Sequence, residues 1–227
     1  AHAYFHELNW LAAEREFKRS IALNPTCVTA HFYYANYLVV QGRIKEAVAE
    51  ANRAQSLDPR SVPAKENLAR ISYEGGQYEE TIEYSLKVLQ ADPTYSHAHE
   101  TLGWAYGKLG RYEDAVAALQ KAVEFSDRSP RHLASLAHAY GLTGQSSEAQ
   151  KLLQELSRLS KKKYVPSYLF AMIFLGFGDK DKALAWLEKD CREHSPFLPF
   201  LKVSPRFAAL HSDPRFQKLV RRVGLTA

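Results

Sequence analysis

The stretch Ser96 to Ser129, SHAHETLGWAYGKLGRYEDAVAALQKAVEFSDRS, sets the architecture of this chain. Its first part carries apolar side chains three and four residues apart, at Leu102, Tyr106 and Leu109, the spacing of a helix with one buried stripe. Gly110 follows, where a left-handed backbone closes a helix, and the polar run from Arg111 to Asp114 opens the next. A second stripe runs through Tyr112, Ala115, Val116, Leu119 and Ala122. The stretch reads as helix, glycine turn, helix.

On either side of it the same pattern recurs with a period of 34 residues. Gly42, Gly76, Gly110, Gly144 and Gly178 share one register, although the chain has only 11 glycines in 227 residues, so the spacing is not chance. Two further registers hold small residues: Ala13, Ala47, Thr81, Ala115, Ala149 and Ala183 in one, and Ala1, Ala35, Ala69, Gly103, Ala137 and Ala171 in the other. A large side chain would hold crossing helices apart, so these positions mark helix–helix contacts. Pro25, Pro59 and Pro93 close the second helix of their units, because proline lacks the N–H donor and clashes with the preceding turn. Asp127 and Lys161 fill that slot later in the chain.

A 34-residue helix-turn-helix unit with these markers resembles the tetratricopeptide repeat (TPR) family. Aromatic slots are met by Tyr4, Tyr106, Tyr140 and Phe174 in the first helix of a unit and by Tyr78 and Tyr112 opening the second. Ser72, Ser85, Leu133 and His99 depart from the usual larger residues, which predicts weaker packing there. The resemblance implies an all-α, right-handed α-solenoid of about six units with a short C-terminal helical cap. The array would occupy residues 1–194, as a partial unit over 1–24 and units over about 28–61, 62–95, 96–129, 130–163 and 164–194. A first unit that begins inside its first helix suggests a piece of a longer chain.

The segment 195–227 differs in rhythm. Ser204-Pro205 and Asp213-Pro214 each place an N-cap residue before a proline, predicting two short helices. Phe207, Leu210, Phe216, Leu219 and Val220 would cover the last apolar face while Arg215, Lys218, Arg221 and Arg222 stay in water. The run Trp186 to Lys189, with the Ser195-Pro196 and Asp213 to Phe216 segments, resembles the end of bacterial TPR proteins that carry kinase, cyclase or winged-helix domains upstream. That resemblance implies a part in a larger signalling or regulatory protein.

In the family a partner peptide lies in the concave groove lined by the first helices. The matching positions are Phe32 and Asn36, then Glu66, Arg70 and Tyr73, then His97, Glu100, Trp104 and Lys108, then Arg131 and His138, then Tyr168 and Met172. Val39 stands on the same face. Aromatic anchors beside amide, guanidinium and carboxylate groups suit a gripped peptide, although any groove-facing position in a superhelix is mixed and partly exposed. The family's carboxylate-gripping set of Lys and Asn residues is poorly matched. Asn36 and Asn67 fit, but Phe32, His97 and Thr101 stand in its basic slots.

Other function classes fare worse. His97 and His99 diverge on a helix, and His2 and His6 lack a third ligand nearby, so no metal site is expected. Glycine-rich phosphate loops, nucleophile elbows and cysteine pairs do not occur, so the chain does not read as an enzyme and no cofactor is implied. Hydrophobic residues make up 46% and charged ones 24%, a composition that folds. The most apolar run, Val165 to Phe177, is broken by Pro166, Ser167 and Gly176 and falls short of the roughly 18 residues that cross a bilayer. Nothing in residues 1–11 has the form of a signal peptide, and Cys27 and Cys191 stand far apart, which together suit a reducing, cytoplasmic setting.

The net charge of +5 comes from the end of the chain: residues 1–150 hold 15 basic and 18 acidic side chains, and residues 151–227 hold 15 and 7. Lys161 to Lys163 and the basic tail suggest nucleic-acid or anionic-surface binding as a second class. Asp179, Asp181, Glu188 and Asp190 interrupt that face and disfavour it. Self-association through the truncated first helix pair is a third.

Overall fold

The computed structural model describes residues 9–224, and all regular elements among them are helical. Ala1, His2, Tyr4 and His6 lie outside the described residues. Helix α1 (Trp10–Leu23) is followed by five antiparallel pairs: α2 (Val28–Val40) with α3 (Ile44–Leu57), α4 (Val62–Glu74) with α5 (Tyr78–Ala91), α6 (Ser96–Lys108) with α7 (Tyr112–Phe125), α8 (Pro130–Leu142) with α9 (Ser146–Leu159), and α10 (Ser167–Gly176) with α11 (Lys180–Glu193). Each pair stacks on the next, as a solenoid requires.

The glycine register makes the turn inside each pair. Gly110 has φ of 75°, and the next residue's N–H reaches back across it, Arg111 N to Tyr106 O at 2.9 Å, the bond of a left-handed helix terminus. Between pairs, Asn24, Asp58 and Asp92 turn the chain by accepting from the backbone N–H two residues on, at 3.1, 3.2 and 3.0 Å. Where the proline slot has become Asp127, the link instead uses two successive left-handed residues, Asp127 and Arg128. The small registers are buried as expected, Ala47, Ala149, Ala35 and Ala137 having no exposed surface. In the slot often held by tryptophan, His99 Nε2 bonds Pro93 O at 2.9 Å, and His31 Nε2 bonds Pro25 O at 3.0 Å two periods earlier. Ser72 and Ser85 are buried, and their hydroxyls find no hydrogen-bond partner.

After α11 the chain forms two 3-10 segments, Leu198–Phe200 and Pro205–Leu210, and then α12 (Pro214–Arg222). The expected pair of short helices is therefore one α-helix and two tighter turns. Asp213 does cap α12, accepting from Arg215 N at 2.8 Å. Ser204 does not cap the backbone. Its hydroxyl accepts from Arg206 Nε at 2.8 Å. Helix α12 lies on α11, with Phe216 and Leu219 buried and Arg215 paired to Asp181 at 2.8 Å. Residues 198–210 leave that end and run along the face made by the first helices of the pairs.

Candidate functional site

The positions read as groove residues fall into two groups. The first is half-open. Phe32 is half-buried and meets Tyr33 edge-on at 5.3 Å, and Asn36 accepts a short hydrogen bond from Arg70, which also donates to Asn67 Oδ1 at 2.9 Å. His97 stands edge-on to His132 at 5.2 Å. The Arg131 side chain is partly exposed while its Nε pairs with Glu100 at 2.6 Å.

Glu66 and Glu100 sit deeper than a ligand-contacting role implies. Glu100 is fully buried and accepts from Ser135 Oγ at 2.6 Å, and Glu66 accepts from Thr101 Oγ1 at 3.1 Å, the same kind of tie between neighbouring units. Burial is the largest single influence and would raise the Glu100 carboxyl, but the Arg131 charge, His132, the Ser135 hydrogen bond and Arg206 together hold the group below the usual range.

In the second group, Trp104, Tyr168 and Lys108 are contacted by the chain's own tail. Arg206 inserts between the first helices, its guanidinium 4.2 Å from the Trp104 ring and 5.8 Å from Tyr168, with Nη2 on Glu74 Oε1 at 3.1 Å. Lys108 Nζ donates to Pro205 O at 2.5 Å, and the Arg70 guanidinium lies 5.4 Å from the Phe200 ring. Tyr168 is buried between Phe197 and Phe207, each ring 5.0 Å away, and burial pushes its hydroxyl up to about 12. Tyr73 packs on Trp104 at 5.5 Å and is 1% exposed. His138 donates from Nδ1 to the Met172 carbonyl at 2.7 Å, and burial pushes it down to about 4, so the ring is neutral near pH 7 and this nitrogen carries the proton. Met172 itself is buried.

Arg206, Phe200 and Glu74 escaped the sequence reading. Arg206 lies 132 residues from Glu74, and no periodicity links a tail to a repeat. The one available signal was the string Ser204-Pro205-Arg206-Phe207, which has the composition of a peptide ligand inside a region that reads as a cap.

Two TPR profiles match the chain, one over residues 72–139 and one over 1–62 and 41–96. No curated protein matches. Among solved structures, a thermophilic TPR protein of Thermus thermophilus superposes with a TM-score of 0.62 at 21% identity, covering 88% of this chain and 100% of its own. PilF of Pseudomonas aeruginosa gives 0.58 at 20%, covering 87% and 90%. A tetratricopeptide repeat protein from Parabacteroides merdae gives 0.58 at 18%, covering 98% and 89%. At these identities the likeness shows a shared fold. With the profiles, the 34-residue glycine register and the stacked helix pairs in agreement, the chain belongs to the tetratricopeptide repeat family.

Proposed function

We infer that the chain is a protein-interaction scaffold that grips an extended segment of a partner protein on the face made by its first helices. One observation carries this reading: that face already holds a polypeptide segment, residues 200–207, by aromatic–guanidinium stacking, a charged pair and a side-chain bond to a backbone carbonyl. The tail fills the part around Trp104 and Tyr168. The half-open part, with Phe32, Asn36, Arg70, His97 and Arg131, is left for the partner.

A place in a larger bacterial signalling or regulatory protein, in the cytoplasm, belongs to the same proposal and rests on the resemblance of the closing segment and on the two separated, free cysteines. Among the described residues no helix is long and apolar enough to cross a membrane.

The test is a pull-down from native extract with the intact chain, at low and high salt and with nuclease. Protein bands that survive both and vanish with Phe32→Ala support the groove. Bands indifferent to Phe32→Ala would sink it, and capture lost to nuclease or modest salt would transfer the function to the basic C-terminal third.

A further inference from the structure

Of the chain's 11 glycines, all but one have a visible reason to be glycine. Six adopt positive φ, and at Gly75, Gly103, Gly141 and Gly176 an added Cβ would lie within 2.7 Å of another atom. Gly107, in the last turn of α6, has neither constraint: a Cβ there would meet only Ala115 Cβ, at 3.9 Å. Glycine is the poorest helix former after proline, and the same repeat position holds Val39, Tyr73 and Leu175 in other units. Gly141, the fifth member of that register, is forced by its contact with Gly176.

The space in front of Gly107 is a cavity of about 230 Å³. Its floor includes Ala115 and Leu119, and Tyr112 and Leu142, 47% and 52% exposed, stand among its lining residues. Arg206, brought in by the tail, and Lys108 both line it, and none of its lining residues is a carboxylate. Glu74 answers Arg206 at 3.1 Å, whereas Lys108 has no carboxylate within ion-pair distance among the described residues. Trp104 lines the cavity at 7% exposure and supplies an aromatic wall.

We propose that this cavity binds a small apolar acid, its ring or branched aliphatic body in the space left by Gly107 and its carboxylate answering Lys108. An apolar cavity of about 150 Å³ admits benzene, so this one has room for a ring and a short arm. The acid is either a free molecule or an adjacent aromatic–acidic pair in a partner protein. The site does not depend on the groove reading: Phe32→Ala leaves it intact.

The intact chain is titrated with 3-phenylpropionate, with 3-phenylpropan-1-ol and with acetyl-Phe-Asp-amide, followed by saturation-transfer NMR and tryptophan fluorescence. The acid is expected to bind saturably and at least about tenfold more tightly than the alcohol, as one charged hydrogen bond supplies. Gly107→Leu should abolish binding with helical content unchanged, and Lys108→Met should bring the acid down to the level of the alcohol. Tighter binding of the peptide than of the free acid identifies a partner protein as the source, and the reverse order a free molecule. Absence of saturable binding by acid and peptide alike, or equal binding by parent and Gly107→Leu, overturns the proposal and leaves the cavity as a packing defect.

Discussion

Arg206 is the residue on which most of the site turns. Its side chain is 11% exposed, that of Glu74 1%, and they pair at 3.1 Å against the Trp104 ring. Removing one member of a buried pair leaves the other charge uncompensated, so Arg206→Ala should cost about 3 to 5 kcal/mol in urea unfolding. Glu74→Gln combined with Arg206→Met should recover most of that, and equal losses in the single and double variants would show that the ion pair is not the cause. Asp190 acts in the opposite sense. It is fully buried, accepts from Tyr168 N at 2.8 Å, and burial raises its carboxyl to about 6. The folded state thus holds this proton more tightly than the unfolded chain, so Asp190 contributes stability below about pH 4 that is lost as pH rises through about 6. At about 1.4 kcal/mol per pH unit the loss approaches about 3 kcal/mol. Asp190→Asn should therefore gain on the parent progressively between about pH 4 and 6, and a difference that stays flat with pH would refute the assignment.

At the scale of helices, two glycines of one register separate opposite requirements. A Cβ on Gly141 would lie 2.5 Å from the Gly176 backbone, where α8 and α10 come closest. Gly141→Ala should force those helices apart and cost about 1 to 3 kcal/mol, as overpacked cores do. Gly107→Ala meets only an ordinary van der Waals contact with Ala115 and removes a flexible residue from a helix, so it should gain up to about 1 kcal/mol. Thermal melts of the two variants check both signs. The helix pairs themselves were legible in the sequence because their causes are local: stripes at three and four residues, glycine at the turn, proline after the second helix. The 3-10 character of the tail was not, since prolines at 199, 205 and 214 signal only where a helix starts.

Across the whole molecule, the tail changes how the solenoid holds together. A plain array contacts only its neighbours and unfolds by sections. Here Arg206 ties the tail to Glu74 at the end of α4, and Gly224 lies close enough to Trp10 that an added Cβ would be 3.0 Å from the indole nitrogen. These ties predict one cooperative transition, with tryptophan fluorescence from Trp10, Trp104 and Trp186 coinciding with far-UV circular dichroism. Phe207 is fully buried, and Phe207→Ala should cost about 3 to 5 kcal/mol and separate the two probes. Coincident curves in that variant would mean that the repeats are coupled without the tail.

The repeat, its period, the helix pairs and the inward small residues could all be read from the residues alone, because each follows from interactions within or between adjacent units. The placing of Phe32, Arg70, Trp104 and Tyr168 on one groove face was what the family resemblance implied, not something the register showed. It took the folded chain to reveal that residues 198–210 occupy part of that face, that Glu66 and Glu100 serve the contacts between units, and that Gly107 opens a cavity. Separation along the chain accounts for the difference. A separation of 132 residues between Glu74 and Arg206 leaves no periodic trace, and which of several apolar and charged surfaces a tail covers is settled by shape and charge in three dimensions.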